Sequence, residues 1–475
     1  MEHLNISVLD QFAEVSAAAA DAALSDAISA NNDKIIVLDD DPTGVQTVHD
    51  VSVYTDWSKE YILRGFAEEN KLFYILTNSR GMTATETEKV HRQIASWICE
   101  AARETGRGYI IISRSDSTLR GHYPLETQVI RDTLASYGKR TDGEIICPFF
   151  AEGGRYTINS VHYVRQGDEL IPAAETEFAK DKTFGYSHSY LPEYIEEKTG
   201  GACRAQDVIR ITMDMLRSGN IGMITEKLMA AHDFARICAD AVSYEDVKIL
   251  SSAVYAALAA GKSFLFRSAA GLVKALGNIS DRPLLRASDM LTPGSGRGGL
   301  VVVGSHTAKT TKQLENLLKL DGTVPISFDS DKVLLGDAAF NEEIDRCAAL
   351  ETEVIKNGGT AVCFTKRTLL SLPDDTKETA LMRSVKISDG VQRLVGQIQA
   401  RPAFVIAKGG ITSSDIGTKA LRVKRADVMG QILPGIPVWR LGPESMFEGM
   451  PYVIFPGNTG DEYALYEAVK ILTGR

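Results

Sequence analysis

The sequence has no run of about eighteen consecutive apolar residues, so a membrane-spanning helix is not expected. Its opening residues, MEHLNISVLDQFAEVSAAAADAALSDAISA, contain acids and no basic segment ahead of an apolar core, which is not the pattern of a secretory signal. They read instead as an amphipathic, alanine-rich helix. There is no excess of positive charge: the net charge of -10 gives no global field to collect phosphates, which excludes general binding to nucleic acid or to an anionic membrane. The six cysteines, Cys99, Cys147, Cys203, Cys238, Cys347 and Cys363, form no CxxC pair, so zinc-ribbon spacing is missing and reduced core thiols in a cytoplasmic protein are expected. A dinucleotide fingerprint is also missing. GSGRGG at 294 to 299 precedes a strand instead of following one, Gly261-Lys262-Ser263 lacks the glycine a Walker A motif needs at 256, and the first strand ends in acids where a glycine-rich loop would be required.

What is present is ordinary globular composition, 44% hydrophobic and 24% charged, on a chain of 475 residues that exceeds one core. Strand-like runs alternate with amphipathic helical ones. KIIVL, VSVY, LFYIL, YIIIS and EIICPFF are predicted strands, with TETEKVHRQIASWICEAARE and PLETQVIRDTLASYG as helices between them. EGGRYTINSVHYVRQGDEL reads as strands or hairpins. Residues 277 to 300 are rich in Pro, Gly and Ser and read as an interdomain connection, after which LVVVGSHT, TAVCFTK, RPAFVIAKGG, PVWRL and PYVIFPGNTG restart the pattern. The expectation is an α/β protein of two domains, each a largely parallel sheet flanked by helices, with the active site in the interdomain cleft. Its boundaries are an N-terminal helical extension over 1–33, a first domain over 34–276, the connection over 277–300 and a second domain over 301–475.

The first strand stops at Asp39, Asp40 and Asp41, where Pro42 forbids further ladder pairing. In an open α/β sheet the carboxyl ends of strands line the ligand crevice, so acids there can orient hydroxyls or take a proton. Two further strands end in polar residues, Thr77-Asn78-Ser79-Arg80 and Arg114-Ser115-Asp116-Ser117. Arg80, Arg114 and Arg120 suit fork-shaped recognition of a carboxylate, while Asp116 and the hydroxyls suit a polyol. In the second domain, Lys408 to Asp415, Gly304 to Thr307 and Pro456 to Gly460 each follow a strand with small and hydroxylated residues, a setting that presents backbone NH groups to a phosphate. His49, His122, His162 and His306 are too dispersed for a metal-ligand spacing.

Together these residues resemble the four-carbon acid sugar kinases, a two-domain family that phosphorylates tetronate-like sugar acids with ATP. The resemblance runs from about residue 34 to the end. It is carried by Asp40-Asp41-Pro42-Thr43-Gly44, Asn78-Ser79-Arg80, Ser115 to Gly121, NSVHYV at 159 to 164, Thr176-Glu177 upstream of Asp181, Gly304-Ser305, Gly409 to Ser413 and Gly457-Asn458. It implies that the first domain binds the sugar acid through Asp40, Asp41, Arg80, Arg114, Ser115, Asp116, Ser117 and Arg120. It implies that the second binds ATP through Ser305, Thr365, Gly409, Gly410, Ile411, Thr412, Gly457 and Asn458, with Mg2+ as counter-ion. Asp41 is the first choice for general base and Asp40 the second. Two departures stand out: Pro42 replaces a bulky apolar residue, and Ile411 stands where many members have an acid, which leaves the metal ligands unassigned and Asp415 as a substitute. Threonate, erythronate, 3-oxo-tetronate and the branched 3-oxo-isoapionate all present a carboxylate and a primary hydroxyl. An NAD-dependent oxidoreductase of a hydroxy acid and a non-catalytic cytoplasmic sugar-acid sensor are the alternatives; oligomeric state is not legible, and a homodimer stays open.

Overall fold

The computed structural model describes residues 2–292, 298–368, 370–457 and 459–474. Most of the GSGRGG segment, within the expected connection, and the nucleotide candidate Asn458 lie outside the described residues. The chain forms two compact units, one of residues 1–47 and 56–281, the other of residues 48–55 and 282–475.

The first unit holds seven parallel strands in the order Ile209–Ile211, Ala235–Ala239, Gly143–Cys147, Phe264–Ser268, Tyr109–Arg114, Lys34–Asp39, Leu72–Leu76. Strands such as LFYIL and KIIVLD are buried along their whole length, as expected for a parallel sheet covered on both faces. The covering helices are amphipathic. Helix Ala84–Thr105 starts in a capping box between Thr83 and Glu86, ends at Gly106, and buries Ile94, Ala95, Ile98 and Ala101. The expected hairpin region forms a second, antiparallel sheet in the order Leu4–Asn5, Glu169–Pro172, Val161–Gln166, Arg155–Ile158. The N-terminal segment is therefore helical only in part: a short strand and a 3-10 turn, Ile6–Gln11, precede the helix Ala17–Ser29.

The second unit orders its strands Val51–Tyr54, Arg425–Leu433, Ile436–Leu441, Pro451–Phe455, Val405–Lys408, Gly299–Val303, Thr360–Thr365, Thr323–Phe328. The last five run parallel, and the first three meet their neighbours antiparallel. The chain is thus α/β in two domains, each with a largely parallel sheet between helices. Val301, Val303, Ile406 and Val453 on the strands pack with Leu314, Leu317, Leu465 and Val469 on helices as one apolar core of this unit.

Candidate functional site

Parallel pairing aligns the strand ends of the first unit: Asp39 lies opposite both Leu76 and Arg114, and Arg114 lies opposite Ser268. The acids at 39 to 41 consequently meet Arg80 from one neighbouring strand end and Arg114 to Ser115 from the other. Arg80 Nη2 reaches Asp40 Oδ1 at 2.6 Å and its Nη1 reaches Asp41 Oδ2 at 3.3 Å, while Arg114 Nη1 lies 3.2 Å from Asp39 Oδ1. The Ser115 hydroxyl donates to Asp40 Oδ2. Asp116 accepts from Arg120 Nε at 2.6 Å and from the Thr118 hydroxyl, and Arg120 extends to Asp181 at 3.8 Å.

The three adjacent acids differ in environment. Asp39 and Asp40 are buried, whereas Asp41 keeps 19% of its side-chain exposure. Burial pushes the Asp39 carboxyl up to about 7 in spite of the Arg114 guanidinium, and the Asp40 and Asp41 charges add to the rise. Burial acts the same way on Asp41, but Arg80, the Thr43 hydroxyl and the Thr43 NH at 2.8 Å outweigh it and hold that carboxyl below the usual range. Asp41 is therefore an ionised, partly exposed carboxylate whose Oδ1 is held by Thr43 and whose Oδ2 meets Arg80 only at 3.3 Å, and Asp39 is a buried group poised near neutrality.

The loop Ser115 to Gly121 is fixed through its carbonyls. His162 Nε2 donates to the Ser117 carbonyl at 2.8 Å, Tyr186 to that of Thr118 at 2.7 Å and Tyr194 to that of Leu119 at 2.8 Å; the Arg120 carbonyl accepts from Arg267 at 3.3 Å and lies 3.1 Å from Ser115 Oγ. Burial lowers His162 to about 4, so it is a neutral donor. Behind the loop, buried Glu126 binds Arg267 and accepts from Ser79 at 2.6 Å and Ser113 at 3.3 Å. With the carbonyls of Ser117 to Arg120 occupied, much of the loop's remaining polar capacity is in its side chains.

In the second unit three strand-end turns meet. A Cβ on Gly304 would fall 2.2 Å from Thr412 Oγ1, and one on Gly457 would fall 3.9 Å from Ser305 Oγ. Gly409, at φ +118, lies against both Ser305 and Thr412, a conformation and an approach that favour glycine. Thr310 Oγ1 joins Ser305 Oγ at 3.2 Å and the Gly457 carbonyl at 3.4 Å. Buried Lys408 donates to the carbonyls of Pro456 at 2.6 Å and Gly457 at 3.1 Å, and burial lowers its ammonium to about 7. Gly410 opens the helix Gly410–Asp415, which continues as a π-turn over Ile416–Ala420. Alongside lies a cavity of about 390 Å³ lined by Gly304, His306, Thr365, Val385, Ile411 and Thr412 among others. Ile411 is 75% exposed, which leaves a bare apolar side chain beside the turns. Thr365 reaches this group through His306 Nε2 at 3.3 Å.

The sequence candidates therefore fall into two clusters, one in each unit. Arg267, Glu126 and the two tyrosines escaped sequence reasoning because nothing local marks their contacts, and His162, legible within NSVHYV, carried no sign of its bond to the loop. Arg367, whose guanidinium donates to the Ser305 carbonyl, lies just beyond the strand Thr360–Thr365 and could have been singled out by that position. No helix among the described residues is long and apolar enough to cross a membrane, no group of three or more His, Cys, Asp or Glu among them could hold a metal ion, and all six cysteines are free.

Residues 35–276 match a family model described as a sugar-binding N-terminal domain, and residues 300–465 match one described as a nucleotide-binding C-terminal domain. No curated protein matches the sequence. Two similar solved structures are a Salmonella typhimurium LT2 protein provisionally described as a tRNA synthase and the Haemophilus influenzae protein HI1011 of family DUF1537. The first is 17% identical with a TM-score of 0.65, covering 92% of this chain and 98% of its own; the second is 17% identical with a TM-score of 0.60, covering 92% and 100%. At that identity they speak for the fold alone. The two domain matches, in this order and over most of the chain, make it a member of the four-carbon acid sugar kinase family.

Proposed function

We propose that the protein is an ATP-dependent kinase that phosphorylates a hydroxyl of a small sugar acid of the tetronate, 3-oxo-tetronate or branched 3-oxo-isoapionate type. The observation that carries this reading is the meeting of three small-residue turns around Ser305 and Thr412, beside an apolar cavity, in a domain matched as nucleotide-binding. The turns suit a phosphate chain and the cavity, with Ile411 at its rim, suits a purine ring. Ser305, Thr365, Gly409, Gly410, Ile411, Thr412 and Gly457 are the proposed contacts, with Asn458 beside them in sequence.

Phosphoryl transfer is achieved by positioning and by neutralising charge. In the proposed mechanism Asp41, ionised and partly exposed, accepts the proton of the attacking hydroxyl, while Arg80 holds Asp40 and Asp41 in place. Ser115, Asp116, Ser117 and Arg120 offer donors and acceptors to the remaining hydroxyls, and Arg114 anchors Asp39 below them. Asp415 is a poor cation ligand as it stands, since its oxygens are engaged by Ser388 at 2.9 Å and Lys419 at 2.9 Å. Mg2+ would then be held chiefly by phosphate oxygens and water, as this ion commonly is.

The test is a coupled ADP-release assay over four-carbon and branched sugar acids, run with the wild type and Asp41→Asn. The expected result is turnover of at least one acid by the wild type and a loss of at least about a thousandfold in Asp41→Asn, with ATP still bound. An Asp41→Asn enzyme within about threefold of wild type would remove Asp41 as base. A wild type that turns over none of these acids would remove the kinase reading.

A further inference from the structure

The guanidinium groups around the Ser115 to Gly121 loop are nearly all committed to carboxylates of the protein. Arg80 is taken by Asp40 and Asp41, Arg114 by Asp39, Arg120 by Asp116 and Asp181, and Arg267 by Glu126. Arg155 is the exception. It begins the strand Arg155–Ile158, and its guanidinium carbon lies 5.5 Å from the centre of the Phe178 ring, over which Arg120 also sits at 5.0 Å. Its Nε is buried with no hydrogen-bond partner, and among the described residues its guanidinium makes no ion pair. Asp116 is the foremost carboxylate acting on it, and Asp116 is already bound by Arg120 and Thr118. The contrast shows in proton affinity: carboxylate partners raise Arg80, Arg114 and Arg267, whereas burial leaves Arg155 lowered.

A half-buried guanidinium without an anion is costly, and a planar fork held over a ring keeps little freedom to escape into water. We infer that Arg155 is the cation that receives the carboxylate end of the substrate, with Phe178 fixing the plane of its fork. The assignment rests on the kinase reading and deepens it. It supplies the group that would discriminate a sugar acid from the corresponding neutral sugar alcohol, a task for which Arg80 and Arg114 are less suited because their charges are already paired with carboxylates of the protein. The side chains of Asp116, Ser117 and Arg120 would lie along the hydroxylated chain between that carboxylate and Asp41.

The experiment compares wild type, Arg155→Gln and Arg155→Lys in steady-state kinetics with ATP and threonate or erythronate. Thermal shift of each protein is recorded with ATP, with the acid, and with threitol or erythritol. Arg155→Gln should raise KM for the acid at least about thirtyfold, leave KM for ATP within about twofold, and lose the wild type's preference for acid over alcohol in thermal shift. Arg155→Lys, which keeps the charge without the fork, should fall between the two, and it carries the same test if Arg155→Gln does not fold. Unchanged KM for the acid, or equal losses for acid and ATP, would overturn the assignment while a working wild type leaves the kinase reading standing. A wild type that neither phosphorylates nor is stabilised by any four-carbon acid would bring down both.

Discussion

At the scale of single residues, the acids at 39 to 41 make a case for reading environment ahead of identity. A general base must be ionised, so the rate falls as pH drops through its pKa. With Asp41 held low, the acidic limb of kcat/KM should lie below the ordinary carboxylate range; a limb near 7 that vanished in Asp39→Asn would transfer the role to the buried neighbour. Glu351, which the proposed mechanism does not use, offers a second titration. It is fully buried on the helix Asp337–Lys356 against the Cys363 thiol, and burial, only partly offset by that thiol, raises it from 4.5 to about 8. Because the folded pKa exceeds the unfolded one, the native state binds more protons between those values and stability falls as pH rises from about 4.5 to about 8. Glu351→Gln should remove this slope, so that its stability relative to wild type improves between pH 5 and 8 by on the order of a few kcal/mol. Urea denaturation at several pH values measures it, and parallel curves for the two proteins would contradict it. Sequence showed the aspartate cluster because three acids abut; it hid Glu351, one acid among many on an amphipathic helix, and Arg155, whose distinction is the partner it lacks.

At the scale of elements, strands were legible wherever apolar runs ended in turn chemistry. VSVY and LFYIL appear with the predicted limits, and KIIVL extends by one residue to Asp39. The three turns of the second unit were legible as phosphate-binding candidates from the same grammar, but their mutual contact was not, since it depends on the spatial order Pro451–Phe455, Val405–Lys408, Gly299–Val303. That contact gives a prediction. A methyl group on Gly304 would collide with Thr412 Oγ1 at 2.2 Å, and Thr412 sits on the short helix that Gly410 opens, so the Thr412 side chain or that helix must shift to admit it. Gly304→Ala should weaken ATP binding at least about tenfold while a four-carbon acid still stabilises the protein to heat, because the acid's proposed contacts are all in the other unit. Isothermal titration with ATP would decide; an unchanged Kd in a folded variant would separate this turn from nucleotide binding.

At the scale of the whole chain, the division into units does not follow the order of the sequence. Residues 48–55 belong with 282–475, so the chain passes between the units at 47–48, 55–56 and 281–282. No local pattern could reveal this, because VSVY pairs with a strand more than 370 residues away. Val51 to Tyr54 lie antiparallel to Arg425 to Val428, with Arg425 Nη2 on Ser52 Oγ at 2.8 Å and Arg282 on Asp50 at 2.9 Å. Val51, Val53 and Tyr54 are almost wholly buried. A fragment of residues 282–475 would lose those side chains and leave the strand Arg425–Leu433 with an open edge, a template for pairing with other chains. Burying three such side chains stabilises by roughly 4 to 8 kcal/mol before the entropy of ordering the segment is subtracted, so the net effect should be a few kcal/mol. The fragment should therefore aggregate or unfold at low urea, and joining residues 48–55 to its N-terminus through a flexible Gly/Ser linker should raise the midpoint and restore a monomer. Equal midpoints and equal solubility with and without the added strand would mean that the second unit folds independently of residues 48–55.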